Sequence, residues 1–449
     1  MTGVATLPLL AAEGGGAHIV DQLVVLLAVF VIAAAVGTLV KKVGRFPYTV
    51  ALLLTGLGMS ALVSVYNIPV LDQLFGQVSL THDIILFVLL PPLLFEGAAT
   101  TDLERFRRNL VPILTLAVPG LIVAVLLLGA VGTWAFGFHL IIALLFASMI
   151  LPTDPVSVLA LFEEVGAPER LSVLVEGESL VNDGVGVVIF STLLALVTSG
   201  TDPSSLLNFS EAAGVVGEIT FVSLGGAVVG FAAGYAIYSV MVNLDEPMTE
   251  IVLTLVLAYG SFVLAEHFLH VSGVIATVVA GLFIGNRGAE YAMSPRTKVT
   301  VFNTWETLAF IVNTFIFIAI GVRTPIPNLV SHWRLILGAI VLVVLVRAVI
   351  VYPTVGLLNL RETGEIPRPY QHVMVWGALH GSIPIALVLG LPPAEQVTGS
   401  YPRGELTAMV FGVAAFSLIV QALTMEGLLD RLGIATRSEA EELYELLLG

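Results

Sequence analysis

The feature that most constrains this chain is the recurrence of apolar runs on the order of twenty residues, the length a helix needs to cross a bilayer core about 30 Å thick. Thirteen such runs are predicted, at about 19–40, 47–65, 82–99, 109–134, 139–162, 170–198, 212–241, 247–268, 271–286, 300–322, 329–357, 369–392 and 404–430. Strands of a membrane barrel would alternate in segments of roughly ten residues. The runs here are twice that length, so the fold class is an all-α polytopic membrane protein with 13 transmembrane helices. Composition supports this: 57% of residues are hydrophobic, 11% are charged and the mean hydropathy is +1.01, which excludes a soluble enzyme.

A net charge of −15 argues against nucleic acid, which needs clustered Lys and Arg. With no cysteine, disulfides and thiolate metal sites are excluded. The His residues show no metal-ligand spacing. Residues 1–18 lack a positively charged start and read as a short disordered lead into the first helix, not as a cleaved signal. Residues 431–449 read as a short cytoplasmic tail.

Orientation follows from Lys and Arg, which gather on the cytoplasmic side of membrane proteins. With the N-terminus outside and the C-terminus cytoplasmic, fourteen of the 18 Lys and Arg fall inside, and only Arg323, Arg334 and Arg403 fall outside. Arg347 lies within a run. A missed or invented helix would scramble that partition.

Against this apolar background one stretch stands out. From Glu176 to Ile189 the chain reads E-G-E-S-L-V-N-D-G-V-G-V-V-I, inside a run that spans 171–197. Ionisable groups at membrane depth are costly, so Glu178 and Asp183 mark a functional site. At helical spacing Glu178 with Asn182, and Ser179 with Asp183, are i,i+4 pairs on one shared face. Glu176 sits about 200° around the helix from Glu178 and falls outside that face. The face offers hard oxygen donors, suited to a cation such as Na⁺.

Two runs are interrupted near their middles. The fifth reads A-S-M-I-L-P-T-D-P-V-S-V, with Pro152 and Pro155 bracketing Thr153 and Asp154; the twelfth reads W-G-A-L-H-G-S-I-P-I-A-L, with Gly377, Gly381, Ser382 and Pro384. Proline removes a backbone donor, so both helices should break, and broken backbone at membrane depth survives only when buried in protein or lining a cavity. If 19–198 and 247–430 are two repeats joined by a linker helix at 212–241, both breaks fall in the fifth helix of an inverted repeat. Matched breaks of that kind point to a transporter with a site near the midplane.

Depth brings the candidates together. At 1.5 Å per residue Asp154 lies roughly 22 Å from the outer end of its helix, and Asp183 roughly 20 Å from the inner end of the next, so they share a level. Glu178 lies roughly 12 Å from the inner end, in the half of the membrane that holds Arg347. A buried Arg needs a partner because it keeps its proton. Glu178 is the partner predicted here, with Glu306 or a snorkelling Arg347 as the alternative. That leaves Asp183 free to alternate between proton and cation, the minimal chemistry of an antiporter.

These residues resemble the monovalent cation/proton antiporters of the NhaP and animal sodium/proton exchanger branch. The likeness rests on E-G-E-S-L-V-N-D-G-V at 176–185, the Thr153-Asp154-Pro155 break, P-P-L-L-F-E-G-A at 91–98, Arg347 and the G-A-L-H-G-S-I-P-I-A-L segment, all in the family's order. It covers about 19–430. The resemblance implies an NhaA-like fold of inverted repeats with two crossed broken helices, in a homodimer in the cell membrane. It implies that Asp183, Asp154, Ser179 and the Thr153 backbone hold Na⁺ or Li⁺ together with Glu178, that Asn182 orients Glu178, and that Arg347 pairs with Glu178. Asn-Asp members typically exchange one Na⁺ for one H⁺, so electroneutral transport serving pH homeostasis is expected, with no cofactor beyond the transported ions.

His380 stands where animal members usually carry Arg; it is either a pH-modulating group or a satisfied polar residue at the break. Glu96 and Glu306 read as structural hydrogen-bond partners more than as ligands. Three other functions compete with Na⁺/H⁺ exchange. K⁺/H⁺ exchange uses the same ligand types. An intramembrane hydrolase would need Asp154 and Asp183 as an acid/base dyad, without a supporting motif. A passive channel is the third, though two matched breaks in inverted repeats suit alternating access better.

Overall fold

At membrane depth no water can take the backbone N–H and C=O groups, so the apolar runs satisfy them internally as helices. The computed structural model describes residues 13–43, 48–66, 83–154, 156–199, 209–324, 326–360, 365–394, 397 and 401–434. Pro155, Arg45, Arg361 and Arg437, residues 1–12 of the predicted lead and 435–449 of the predicted tail lie outside the described residues.

In chain order the helices are α1 (Glu13–Val43), α2 (Tyr48–Tyr66), α3 (Ile84–Thr100), the short α4 (Leu103–Arg108), α5 (Leu110–Phe136), α6 (Leu140–Ile150), α7 (Val156–Val165), α8 (Glu169–Thr198) and α9 (Phe209–Met241). There follow α10 (Pro247–Phe268), α11 (273–291), α12 (Pro295–Arg323), the short α13 (Ile326–Ser331), α14 (Trp333–Asn359), α15 (Arg368–Trp376), α16 (Ser382–Leu389) and α17 (Arg403–Arg431). Helix α1 begins at Glu13 and takes in six residues of the predicted lead, because entry into a helix does not require apolar side chains.

Helix occupies part of every predicted run. Among the described residues, however, seven helices (α5, α8, α9, α10, α12, α14 and α17) are long and apolar enough to cross a membrane on their own. The other predicted runs lie on shorter helices or on the pairs α6–α7 and α15–α16, where proline and glycine divide one run into two helices.

The chain forms two compact units, 1–80 with 314–326, and 81–313 with 327–449. In the first, α2 meets the end of α12 at glycines: a Cβ on Gly56 would stand 2.9 Å from the Cα of Gly321. Beside it the Tyr48 and Thr314 hydroxyls are 3.2 Å apart. The second unit holds every residue of the polar stretch and of both breaks. One of its cores gathers Phe95, Leu257, Ile284 and Trp305; the Trp305 indole N–H donates to the Thr254 hydroxyl at 3.0 Å, which settles a polar atom that would otherwise be stranded.

Burial is uneven. In α8 and α17 67% of the apolar window is enclosed by protein, against 11% in α9. The helix with the polar stretch is therefore central to its unit, and the predicted linker helix is peripheral.

Candidate ion-binding site

The site begins with a backbone problem. Pro152 cannot donate a hydrogen bond and helix α6 stops before it, so the N–H groups of Thr153 and Asp154 lack helical acceptors. Each finds one elsewhere. Thr153 N–H donates to the Asn182 side-chain oxygen at 3.3 Å, and Asp154 N–H donates to the Leu379 carbonyl at 2.7 Å. The second break, between α15 and α16, returns the favour. Ser382 N–H donates to Asp154 Oδ2 at 3.4 Å, and the His380 Nδ1–H donates to the Pro152 carbonyl at 3.3 Å. The two interruptions thus complete each other.

Gly381 is what allows this approach. A Cβ there would collide with the Asp154 carboxyl group. At the first break Gly186 does the same, because a Cβ on it would enter the Pro152 ring. Helix α8 can therefore lie directly against the break, with Glu178, Ser179, Asn182 and Asp183 all buried.

From α8 the side chains divide their partners. Ser179 donates its hydroxyl proton to the Thr153 carbonyl. The Asn182 amide nitrogen donates to the Thr153 hydroxyl at 3.0 Å, so Asn182 grips Thr153 at both its N–H and its side chain. The resemblance assigns Asn182 to orienting Glu178; here its amide goes to Thr153, the residue that proline has deprived of a helical acceptor. Glu178 is held instead by Arg347 in a two-pronged ion pair, one prong at 2.8 Å. The same guanidinium donates to the Met374 carbonyl at 3.3 and 3.2 Å, near the end of α15. Arg347 is thereby neutralised, with hydrogen bonds from all three of its nitrogens, and the two-pronged geometry is the one that makes an Arg–carboxylate pair strong. Beside it lies a cavity of about 20 Å³ lined by Glu178, Asn182, Arg347 and residues of α5, room for about one water.

Asp183 is different. It is 8% exposed, and its Oδ1 is buried with no hydrogen-bond partner. Asp154 lies within electrostatic range of it. Buried polar atoms without partners are uncommon and ask for a reason. A transported cation or proton is such a reason. Ser179, Thr153 and Asp154 surround the same break, so the residues proposed for Na⁺ are brought together.

Other predicted residues lie elsewhere or have other roles. Glu176 is outside the site, where its Oε1 accepts from the Thr101 hydroxyl at 2.6 Å. Glu96 is within electrostatic range of Glu176 and Glu306, so these three form a separate acidic group. Glu306 is exposed and does not hold Arg347. His380 is buried, its ring on the Pro152 carbonyl and its N–H donating to the Ser417 hydroxyl at 3.0 Å. Ser417 and Gly186 were not singled out from sequence. The proximity of Gly186 to a polar membrane motif was the available signal for one; Ser417, in an ordinary apolar run, offered none.

Two interrupted helices that complete each other at a buried set of hard oxygen donors, within a helical membrane domain, define a secondary transporter and not an enzyme. The model of the family described as "Sodium/hydrogen exchanger, transmembrane" matches residues 25–431, and the chain belongs to that family. It is 37% identical over 428 residues to the Na⁺/H⁺ antiporter ApNhaP of Aphanothece halophytica, covering 95% of this chain and 78% of the relative. With the Na⁺/H⁺ antiporter NhaG of Bacillus atrophaeus it shares 35% identity, over 94% of this chain and 78% of the relative. Among solved structures, the sodium proton antiporter MjNhaP1 of Methanocaldococcus jannaschii superposes with a TM-score of 0.74 at 19% identity, covering 93% of this chain and 98% of that one, a likeness of fold.

Proposed function

We propose that this antiporter exchanges one Na⁺ or Li⁺ for one H⁺, electroneutrally, by alternating access at the Asp183 carboxylate. The observation that carries the reading is the buried Oδ1 of Asp183, which has no hydrogen-bond partner although every neighbouring polar group on α8 has one. An ion or a proton, one at a time, completes it. Asp154, Ser179 and the Thr153 backbone complete the cation shell. Glu178 and Arg347 cancel each other, so the only net charge that changes during the cycle is on the aspartates. Asn182 keeps the unwound Thr153 in place. His380, with its ring committed to a backbone carbonyl, serves as a brace between the breaks.

The wider arrangement follows from the same reading. The halves 19–198 and 247–430 act as inverted repeats about the helix at 212–241, in a homodimer in the cell membrane, with the N-terminus outside and the C-terminus cytoplasmic. The Lys and Arg partition supports that orientation.

The test is proton movement in proteoliposomes holding the full chain, driven by gradients of Na⁺, Li⁺ or K⁺. Na⁺ and Li⁺ are expected to drive it and K⁺ is not; a K⁺ response of equal size would reassign the chain to K⁺/H⁺ exchange. Collapsing the membrane potential should leave the rate unchanged. A clear voltage dependence would falsify the 1:1 stoichiometry.

A further inference from the structure

The second break carries no ionisable side chain except His380, yet its backbone meets Asp154 at three residues. Leu379 contributes its carbonyl to the Asp154 N–H, Gly381 leaves space for the carboxyl group, and Ser382 donates its N–H to Oδ2. His380 is the residue in the middle of these three. What holds its backbone is Ser417 of α17, which accepts from the His380 N–H at 3.0 Å and directs its own proton to the carbonyls of Ala414 at 3.0 Å and His380 at 3.3 Å. One turn further on, Gln421 donates to the Trp376 carbonyl at 3.1 Å, at the point where α15 ends and its carbonyls lose their helical donors.

Both residues are buried, and they are the first and last residues of a π turn, Ser417–Gln421, inside α17. An α-helix places residues four apart about 40° out of line, whereas the wider π turn changes their relative direction. A polar pair at the two ends of such a turn, each spent on a different exposed backbone group of one broken helix, is more than local satisfaction: a hydroxyl in a membrane helix can always bond back to its own preceding turn, and Ser417 does that as well.

We infer that Ser417 and Gln421 are positioning residues of the exchange site, which set the register of the 377–382 segment and through it the place of the Asp154 carboxylate. The inference rests on the exchange reading above. It extends the site to α17, a helix that contributes no group to the ion. Because the pair acts on Asp154 through backbone, its loss changes how well the cation is held more than how fast the loaded carrier turns over.

The experiment compares the full-length wild type with Ser417→Ala, Ser417→Thr and Gln421→Met in proteoliposomes, measuring initial rates against Na⁺ concentration. Ser417→Ala is expected to raise the apparent KM for Na⁺ about tenfold, the size of one lost hydrogen bond to a buried partner, with the maximal rate changed less than twofold. Ser417→Thr, which keeps the hydroxyl, restores a KM near the wild type; Gln421→Met, one turn farther from Asp154, gives a smaller rise of about threefold. If Ser417→Ala does not reconstitute as folded protein, the Thr and Met variants decide between them. Unchanged KM values in exchanging variants, with only the yield or thermal stability reduced, overturn the positioning role and leave the exchange reading intact. A wild type that moves no protons in response to Na⁺ removes the exchange reading itself, and the role with it.

Discussion

The two breaks face the same physical difficulty and meet it in opposite ways. Both expose backbone N–H and C=O groups at a depth where water is absent. At the first, Thr153 is satisfied by Asn182 and Ser179 of α8, side chains of the candidate ion site, while the Asp154 N–H takes the Leu379 carbonyl. At the second, the backbone around His380 and Trp376 is satisfied by Ser417 and Gln421 of α17 and the Met374 carbonyl by Arg347, none of them a proposed ion ligand, while the Leu379 carbonyl and the Ser382 N–H turn to Asp154. The first break is therefore tied mainly to the side chains proposed for the ion on α8, and the second mainly to a frame on α17. Arg347 joins them, with Glu178 of α8 on one side and the end of α15 on the other.

The most severe way to break this contrast is at the carboxylate. Asp183→Asn keeps the shape and removes the carboxylate proposed to take either a proton or a cation, so cation-coupled proton movement in proteoliposomes should fall to that of empty vesicles. Substantial residual exchange would move the binding role to Asp154, and the first break would no longer differ from the second in kind.

Next in size is the joint between the breaks. Removing one member of a buried ion pair strands the other, at a cost of about 3–5 kcal/mol, whereas replacing both with apolar groups is close to neutral. Glu178→Gln should accordingly lower the thermal unfolding temperature of the purified protein far more than the double replacement Glu178→Leu with Arg347→Met. The double variant is expected to fold and still to exchange poorly, because α8 is no longer tied to α15. Equal destabilisation by the single and double variants would show that the pair is not the joint.

How much of this was legible before any coordinates follows from the same contrast. The first break and its helix were readable because their groups are expensive in a membrane: Asp154, Glu178, Asp183 and Arg347 stand out from apolar neighbours, and shared depth favours Glu178 over Glu306 as the partner a buried Arg347 needs. The second break was readable as a break, from Gly377, Gly381 and Pro384. Its supports were not. Ser417 and Gln421 are polar residues of a kind common in membrane helices, where local bonds satisfy them, and nothing in their spacing records a π turn or a contact 37 and 45 residues away. The partner of Asn182 was missed for a related reason: a side chain has several residues within reach, and only the geometry of the proline break shows which backbone group is in need. The span count shows the same limit. Apolar length predicts a crossing, but where proline and glycine divide a run it does not say whether one helix or two result.

The finest test of the contrast uses the two glycines that let the breaks close. Gly186 and Gly381 are both too crowded for a Cβ, but the atoms in the way differ: the apolar Pro152 ring at the first and the Asp154 carboxyl group at the second. Overpacking costs about 1–3 kcal/mol in either case, roughly a tenfold effect toward the lower end of that range, and the contact determines where the cost is felt. Gly381→Ala pushes directly on Asp154, so its expected signature is an apparent KM for Na⁺ raised about tenfold with modest loss of thermal stability. Gly186→Ala pushes α8 away from Pro152, so the same cost should be felt first as a lower unfolding temperature. Both variants showing the same ratio of affinity loss to stability loss would mean that the two breaks respond as one body, and that the division into a coupled break and a frame is too sharp.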